Sequence, residues 1–156
     1  MMKFAMTWHA EQGANSCSVR RATQQGRETQ PIIHRETPRC AHNVLVVDDD
    51  LNLTRLMATI LRTSGIDSVT ATDGLSALDA IDHNEIDAIV LDMQMPKMDG
   101  RGFFRELRAR GNHTPVLVAS AYGARSAQRE LGAEASVEKP FDPEVLISEL
   151  QRILEP

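Results

Sequence analysis

Four short stretches of this 156-residue chain place a reactive polar side chain directly after a run that reads as a strand. Asp48-Asp49-Asp50 follows Val44-Leu45-Val46-Val47, and Asp92 follows Ala88-Ile89-Val90-Leu91. Ser120 follows Val116-Leu117-Val118-Ala119, and Lys139 follows Ala135-Ser136-Val137-Glu138. The chemistry these types can share is phosphoryl transfer. Crowded carboxylates raise one another's pKa unless a cation compensates. A hard divalent ion with oxygen ligands is the natural compensation, and Mg²⁺ keeps positions open for phosphate oxygens. Asp92 can then attack a phosphoryl group and form an acyl phosphate. Lys139 can pair with one phosphate oxygen while the Ser120 hydroxyl donates to another. Positioning and charge neutralisation are most of what phosphoryl transfer asks of a protein. Taken singly, the aspartates could cap a helix, Ser120 could sit in a turn and Lys139 could be a solvated charge. The chemistry exists only if the four sites meet.

The elements that would bring them together are legible in the periodicity. After the strand at residues 44–47, Leu53, Leu56, Met57, Ile60 and Leu61 recur at helical spacing, and Gly65 stands where a glycine stops a helix. A strand over residues 69–72 leads to Asp73-Gly74, read as a turn, and to a helix marked by Leu75, Leu78 and Ile81. Residues 86–91 form the third strand. Pro96 cannot continue a ladder, and Asp99-Gly100 reads as a turn pair before a helix with Phe103, Phe104 and Leu107. The fourth strand, residues 115–119, precedes a weak helix through Ala127 and Leu131 that stops at Gly132. The fifth, residues 135–138, precedes a helix opened by Asp142-Pro143, an acidic N-cap with proline in the first turn. Five strands alternating with five helices predict an α/β fold, a doubly wound parallel sheet with right-handed crossovers. The strand C-termini of such a sheet share one edge, which is where open α/β folds bind ligands.

Charge divides the chain. Residues 1–42 hold six Lys/Arg and three Asp/Glu, while the remainder holds 11 basic and 19 acidic side chains. An acidic domain of this kind is a poor nonspecific binder of nucleic acid, whose phosphates need Lys and Arg. Residues 1–42 show no apolar periodicity and are rich in Gln, Thr, Arg and Ser, so they read as a disordered N-terminal tail ahead of a domain over residues 43–156. No apolar run approaches the roughly 20 residues of a membrane span. Cys17 and Cys40 suggest neither a disulfide framework nor a metal site, so the expected location is the reducing cytoplasm.

Taken together, Val44-Leu45-Val46-Val47-Asp48-Asp49-Asp50, Leu91-Asp92-Met93-Gln94-Met95-Pro96-Lys97-Met98-Asp99-Gly100, Val118-Ala119-Ser120-Ala121 and Lys139-Pro140-Phe141 resemble the receiver domain of two-component response regulators. The resemblance covers about residues 43–156. It implies a flavodoxin-like five-stranded parallel sheet in the order 2-1-3-4-5, with five helices. It implies that Asp92 is the phosphoacceptor, charged by a sensor histidine kinase or a histidine phosphotransfer protein. Asp48, Asp49, Asp92 and the backbone carbonyl of Gln94 would hold Mg²⁺. Ser120 would be the switch hydroxyl and Lys139 the phosphate-pairing lysine, with Lys139-Pro140 in the cis form. Gln94 and Tyr122 would govern how long the acyl phosphate survives.

The chain ends soon after the fifth helix, which leads us to expect a stand-alone receiver. Such a protein would signal by docking to an unidentified downstream protein or by phosphorelay, with no turnover beyond its own phosphorylation and dephosphorylation. The family usually carries Tyr or Phe where this sequence has Ser136, so the aromatic switch is missing, although no phosphate-contacting position is lost. Two rivals are weaker. Asp48-Asp49-Asp50 partly resembles the Asp-x-Asp of haloacid-dehalogenase phosphatases, but that leaves Asp92 unexplained. A phosphate-independent module would not need Asp92, Ser120 and Lys139 together.

Overall fold

Short runs of β-branched and aliphatic residues can bury both faces of a strand at once, as a covered parallel sheet requires. The computed structural model describes residues 42–155. Its strands β1 (Asn43–Val47), β2 (Asp67–Ala71), β3 (Ala88–Asp92), β4 (Val116–Ser120) and β5 (Ala135–Glu138) form one parallel sheet, ordered β2-β1-β3-β4-β5. Between and after them run α1 (Leu51–Thr63), α2 (Gly74–His83), α3 (Gly100–Ala109), α4 (Ala124–Leu131) and α5 (Pro143–Leu154). This is the doubly wound arrangement that the alternation of elements predicts, with the flavodoxin-like strand order that the resemblance implies. The tail expected over residues 1–42 lies outside the described residues except for His42. The His42 carbonyl accepts from the Asp67 N–H at 2.8 Å and leads into the β1–β2 ladder.

Alternation along the strands divides the core in two. Leu45, Val47, Ile89, Leu91, Val116 and Val118 pack with Leu78 of α2, Phe103 and Leu107 of α3, and Ala127 of α4. Val44, Val46, Val90 and Leu117 pack on the other face with Met57 and Leu61 of α1 and Leu146 and Leu150 of α5. Every residue of the central strands β3 and β4 is buried, whereas edge strands β2 and β5 are mixed. The most uniformly apolar runs of the sequence therefore occupy the middle of the sheet.

The register sets up the site. Val47 pairs with Leu91, and Asp92 pairs with Ala119. Asp48, one residue past Val47, therefore emerges level with Asp92. The Lys139 N–H donates to the Ser120 carbonyl at 2.9 Å, which ties the start of the following loop to the end of β4. The Lys139–Pro140 peptide is cis.

Three local readings are corrected. Asp73-Gly74 and Asp99-Gly100, expected as turns, are helix starts. The Asp73 carboxylate accepts from the N–H groups of Leu75 and Ser76, and that of Asp99 accepts from Gly102. Each thus satisfies orphan donors of a first helical turn. The third strand starts at Ala88 and not at Ile86, because Asp87 turns its carboxylate to the Asn43 N–H, 2.7 Å away, and forms the rim of the sheet.

Candidate functional site

Each site residue is delivered by the end of a strand. Asp48 and Asp92 are 2% and 6% exposed, whereas Asp49 is open to solvent. Carboxylate oxygens of Asp48, Asp49 and Asp92 lie within 4.8 Å of one another. Lys139 enters from the end of β5, and its ammonium donates to Asp48 Oδ2 and, at 3.0 Å, to Asp92 Oδ1. Backbone donors complete the inner pair. The Asp50 N–H donates to Asp48 Oδ1 at 2.9 Å, and the Gln94 N–H donates to Asp92 Oδ2 at 3.3 Å. Ser120 is buried, and its hydroxyl donates to the Tyr122 carbonyl at 3.1 Å.

The electrostatics are unbalanced. Burial pushes the Asp92 carboxyl up from its ordinary value; the hydrogen bond and charge of Lys139 oppose this, and the neighbouring Asp48 adds to the rise. Burial pulls the Lys139 ammonium down, but its hydrogen bonds to Asp48 and Asp92 outweigh that and hold it above the usual lysine range. The same pairing thus favours the charged lysine and leaves the Asp92 charge disfavoured. Three carboxylates share one ammonium, so the cluster holds more negative charge than it balances. An all-oxygen donor set with an open carboxylate suits a hard divalent cation such as Mg²⁺. Its charge would lower the Asp92 pKa.

Residues 44–151 match the response regulator receiver domain. The chain belongs to the response regulator receiver family. Response regulator MprA of Mycobacterium sp. (strain KMS) is 38% identical over 114 residues, covering 71% of this chain and 50% of that protein. Transcriptional regulatory protein PrrA of Mycobacterium tuberculosis is 41% identical, covering 71% of this chain and 49% of that one. The receiver therefore spans about half the length of the curated relatives it matches. Among solved structures, the Francisella response regulator 1452 receiver domain superposes with a TM-score of 0.69 at 33% identity, covering 73% of this chain and 97% of that one. Chemotaxis response regulator CheY4 of Vibrio cholerae gives 0.67 at 31%, covering 72% and 98%. Phosphorylation and Mg²⁺ are typical of the family.

In this receiver Asp48, Asp49, Asp92 and Lys139 come together, and the backbone of Gln94 lies against Asp92. Ser120 hydrogen-bonds Tyr122 and not the cluster. Ser136, at the usual aromatic position, donates to Gln128 Oε1 of α4 at 2.7 Å. Sequence reasoning missed one charged contact beside the site. The Lys97 ammonium lies 2.7 Å from Asp73 Oδ2 and joins the loop after β3 to the start of α2. The spacing of Asp73 and Ser76 could have revealed the capping box, but no local signal couples residues 24 positions apart.

The Lys97 hydrogen bond, helped by the Ser76 N–H and opposed by burial, lowers the Asp73 pKa from 3.8 to about 2. A carboxyl lowered in the folded state adds stability that is present above its unfolded pKa and lost as pH falls through the folded one. Asp73→Ala is expected to cost about 2 kcal/mol at neutral pH, combining cap and ion pair. In urea titrations, the gap to wild type should narrow below pH 3.8 and nearly close by about pH 2. A gap independent of pH would show that the carboxylate charge contributes nothing.

Proposed function

We propose that Asp92 accepts a phosphoryl group from the phosphohistidine of a sensor histidine kinase or a histidine phosphotransfer protein, in a Mg²⁺-dependent reaction. The observation that carries this reading is the half-balanced cluster. A buried carboxylate at the C-terminal edge of the sheet faces one ammonium at 3.0 Å and two further carboxylates within 4.8 Å. Asp48, Asp49, Asp92 and the Gln94 carbonyl would hold the ion, which when bound supplies positive charge for phosphate oxygens.

The remaining chemistry belongs to the chain. An Asp92 oxygen attacks phosphorus, the phosphorus–nitrogen bond of the donor breaks, and the imidazole leaves with the bonding electron pair. Lys139, already hydrogen-bonded to Asp92, pairs with a phosphoryl oxygen as negative charge arrives. Ser120 exchanges its bond to the Tyr122 carbonyl for one to the phosphoryl group, since a charge-assisted hydrogen bond is about twice as strong as a neutral one. Beyond acquiring and losing its own phosphoryl group, the domain turns nothing over. The excess of acidic side chains does not suit direct binding of nucleic acid by residues 43–156. Among the described residues, no helix is long and apolar enough to cross a membrane. We place the reaction in the cytoplasm, where histidine kinases present their phosphoryl groups. Incubation with acetyl phosphate, with and without Mg²⁺, followed by intact-mass measurement, tests the reading.

The signal leaves through a downstream protein or a relay, and the loop from Ser120 into α4 is the element most directly coupled to the phosphoryl group. Ser136 has too little volume to follow it as an aromatic would. Tyr122, 85% exposed, shields little of its surroundings in this conformation and is free to move. With beryllofluoride bound as a phosphoryl mimic, amide chemical shifts are expected to change most over residues 120–131. Large changes confined to β5 and α5, with residues 120–131 unmoved, would show that the signal takes another route.

A further inference from the structure

The loop between β3 and α3 follows Asp92 and contains Gln94, and its far end is held by a contact that phosphoryl transfer does not use. Asp73 is 4% exposed, and both of its carboxylate oxygens are occupied. Oδ1 caps α2, accepting from the N–H groups of Leu75 and Ser76 at 3.0 and 2.9 Å. Oδ2 takes the Lys97 ammonium at 2.7 Å. Lys97 has φ 64° and is the one non-glycine with positive φ among the described residues. A side chain crowds the backbone in this left-handed region, and such a conformation persists only where its surroundings over-determine it.

The rest of the loop has little slack. The Gly74 N–H donates to the Met98 carbonyl at 3.4 Å, and a Cβ at Gly74 would fall 2.7–2.9 Å from Met98 side-chain atoms. The Met98 N–H donates to the Pro96 carbonyl at 2.8 Å, and the Gly100 N–H donates to the Met93 carbonyl at 3.3 Å. At the near end, the Gln94 N–H is bonded to Asp92 itself. Gln94 is thus strung between the strand end and the Lys97–Asp73 contact.

We infer that Lys97 is a positioning residue for the cation site. Its ion pair with the α2 cap holds the left-handed turn that keeps the Gln94 backbone against Asp92. The pair touches neither cation nor phosphate and acts through the loop. This rests on the Mg²⁺ reading above. Outer partners of metal ligands commonly set affinity through orientation alone.

The test is calorimetric titration of Mg²⁺ into the full chain at constant ionic strength, with melting temperature measured alongside. Lys97→Ala and Asp73→Asn are each expected to weaken Mg²⁺ binding roughly tenfold, the low end for outer-sphere partners. Lys97→Arg, which keeps a cation in reach of Asp73, should bind within about twofold of wild type on the same grounds. Lys97→Gly relieves the backbone strain but lacks the ammonium, and should be as weak as Lys97→Ala. A purely structural contact would lower the melting temperature of Asp73→Asn and leave every Mg²⁺ affinity unchanged, which would overturn the inference. Wild-type affinity in Lys97→Gly would overturn it too, because strain and not charge would then be the controlling feature. Failure of the wild-type protein to bind Mg²⁺ would instead remove the underlying reading, so the two failures are distinguishable.

Discussion

Wild-type protein is expected to acquire a single phosphoryl adduct from acetyl phosphate in Mg²⁺, and Asp92→Asn to abolish it. An amide nitrogen or oxygen is no match for a carboxylate as a nucleophile toward phosphorus, and no second carboxylate is equivalently placed. Asp48 has one oxygen on Lys139 and the other on the Asp50 N–H. Asp49 is exposed to solvent at the rim of the cluster. The loss should not be a folding defect. Burial raises the Asp92 carboxyl from its ordinary value, so its ionisation favours the native state less than it favours the unfolded chain. Stability linked to a raised carboxyl is present below the unfolded pKa and lost as pH rises through the folded one. A neutral Asn that still accepts from Lys139 is therefore expected to melt no lower than wild type. Intact mass reads the adduct and thermal melting reads the fold. An adduct of equal yield in Asp92→Asn, or in wild type with the metal chelated, would refute the assignment.

Gly100→Ala is expected to be the most damaging single-methyl change in the domain. Gly100 opens α3, and a Cβ there would stand 2.4 Å from the Asp92 carbonyl oxygen and 2.8 Å from Met93 Cα. Both neighbours are backbone, so no rotamer change relieves the overlap. Either α3 must move from the sheet or the end of β3 must shift, and a clash of this kind in a packed interior costs roughly 3 kcal/mol. Because the atom struck is the Asp92 carbonyl, phosphorylation should slow as well. Gly102→Ala, two residues on, is the control. Its nearest neighbour is a side-chain oxygen of Asp99 at 3.1 Å, and alanine is favoured over glycine inside a helix by about 0.5–1 kcal/mol. Urea midpoints compare them. A Gly100→Ala midpoint matching that of Gly102→Ala would show that the close approach of α3 to β3 is not required.

Which parts of this molecule follow from the chain alone can be argued residue by residue. The apolar runs at residues 44–47, 88–91 and 116–119 carry no polar alternation, and only a strand covered on both faces can use such a run. That made the covered parallel sheet legible, and with it the shared edge to which Asp48, Asp92, Ser120 and Lys139 belong. Helix ends were legible where the cap chemistry is local, as at Asp142-Pro143 and Gly65. The turn readings at Asp73-Gly74 and Asp99-Gly100 failed because an Asp-Gly pair is compatible with either a turn or an N-cap. What decides between them is whether a helix start packs close by, as α3 does against the Asp92 carbonyl.

The balance of charge within the cluster was also beyond the sequence. Residue types indicate that carboxylates and a lysine meet, but burial and separation decide that Lys139 serves Asp48 and Asp92 while Asp49 stays open. Nor could the chain order announce the Ser136–Gln128 hydrogen bond or the Lys97–Asp73 ion pair. Periodicity and capping act over a few residues, whereas these contacts join segments that become neighbours only once the crossovers have closed. Lys97 adopts a conformation its own backbone disfavours, and its partner Asp73 is the N-cap of α2, 24 residues earlier in the chain.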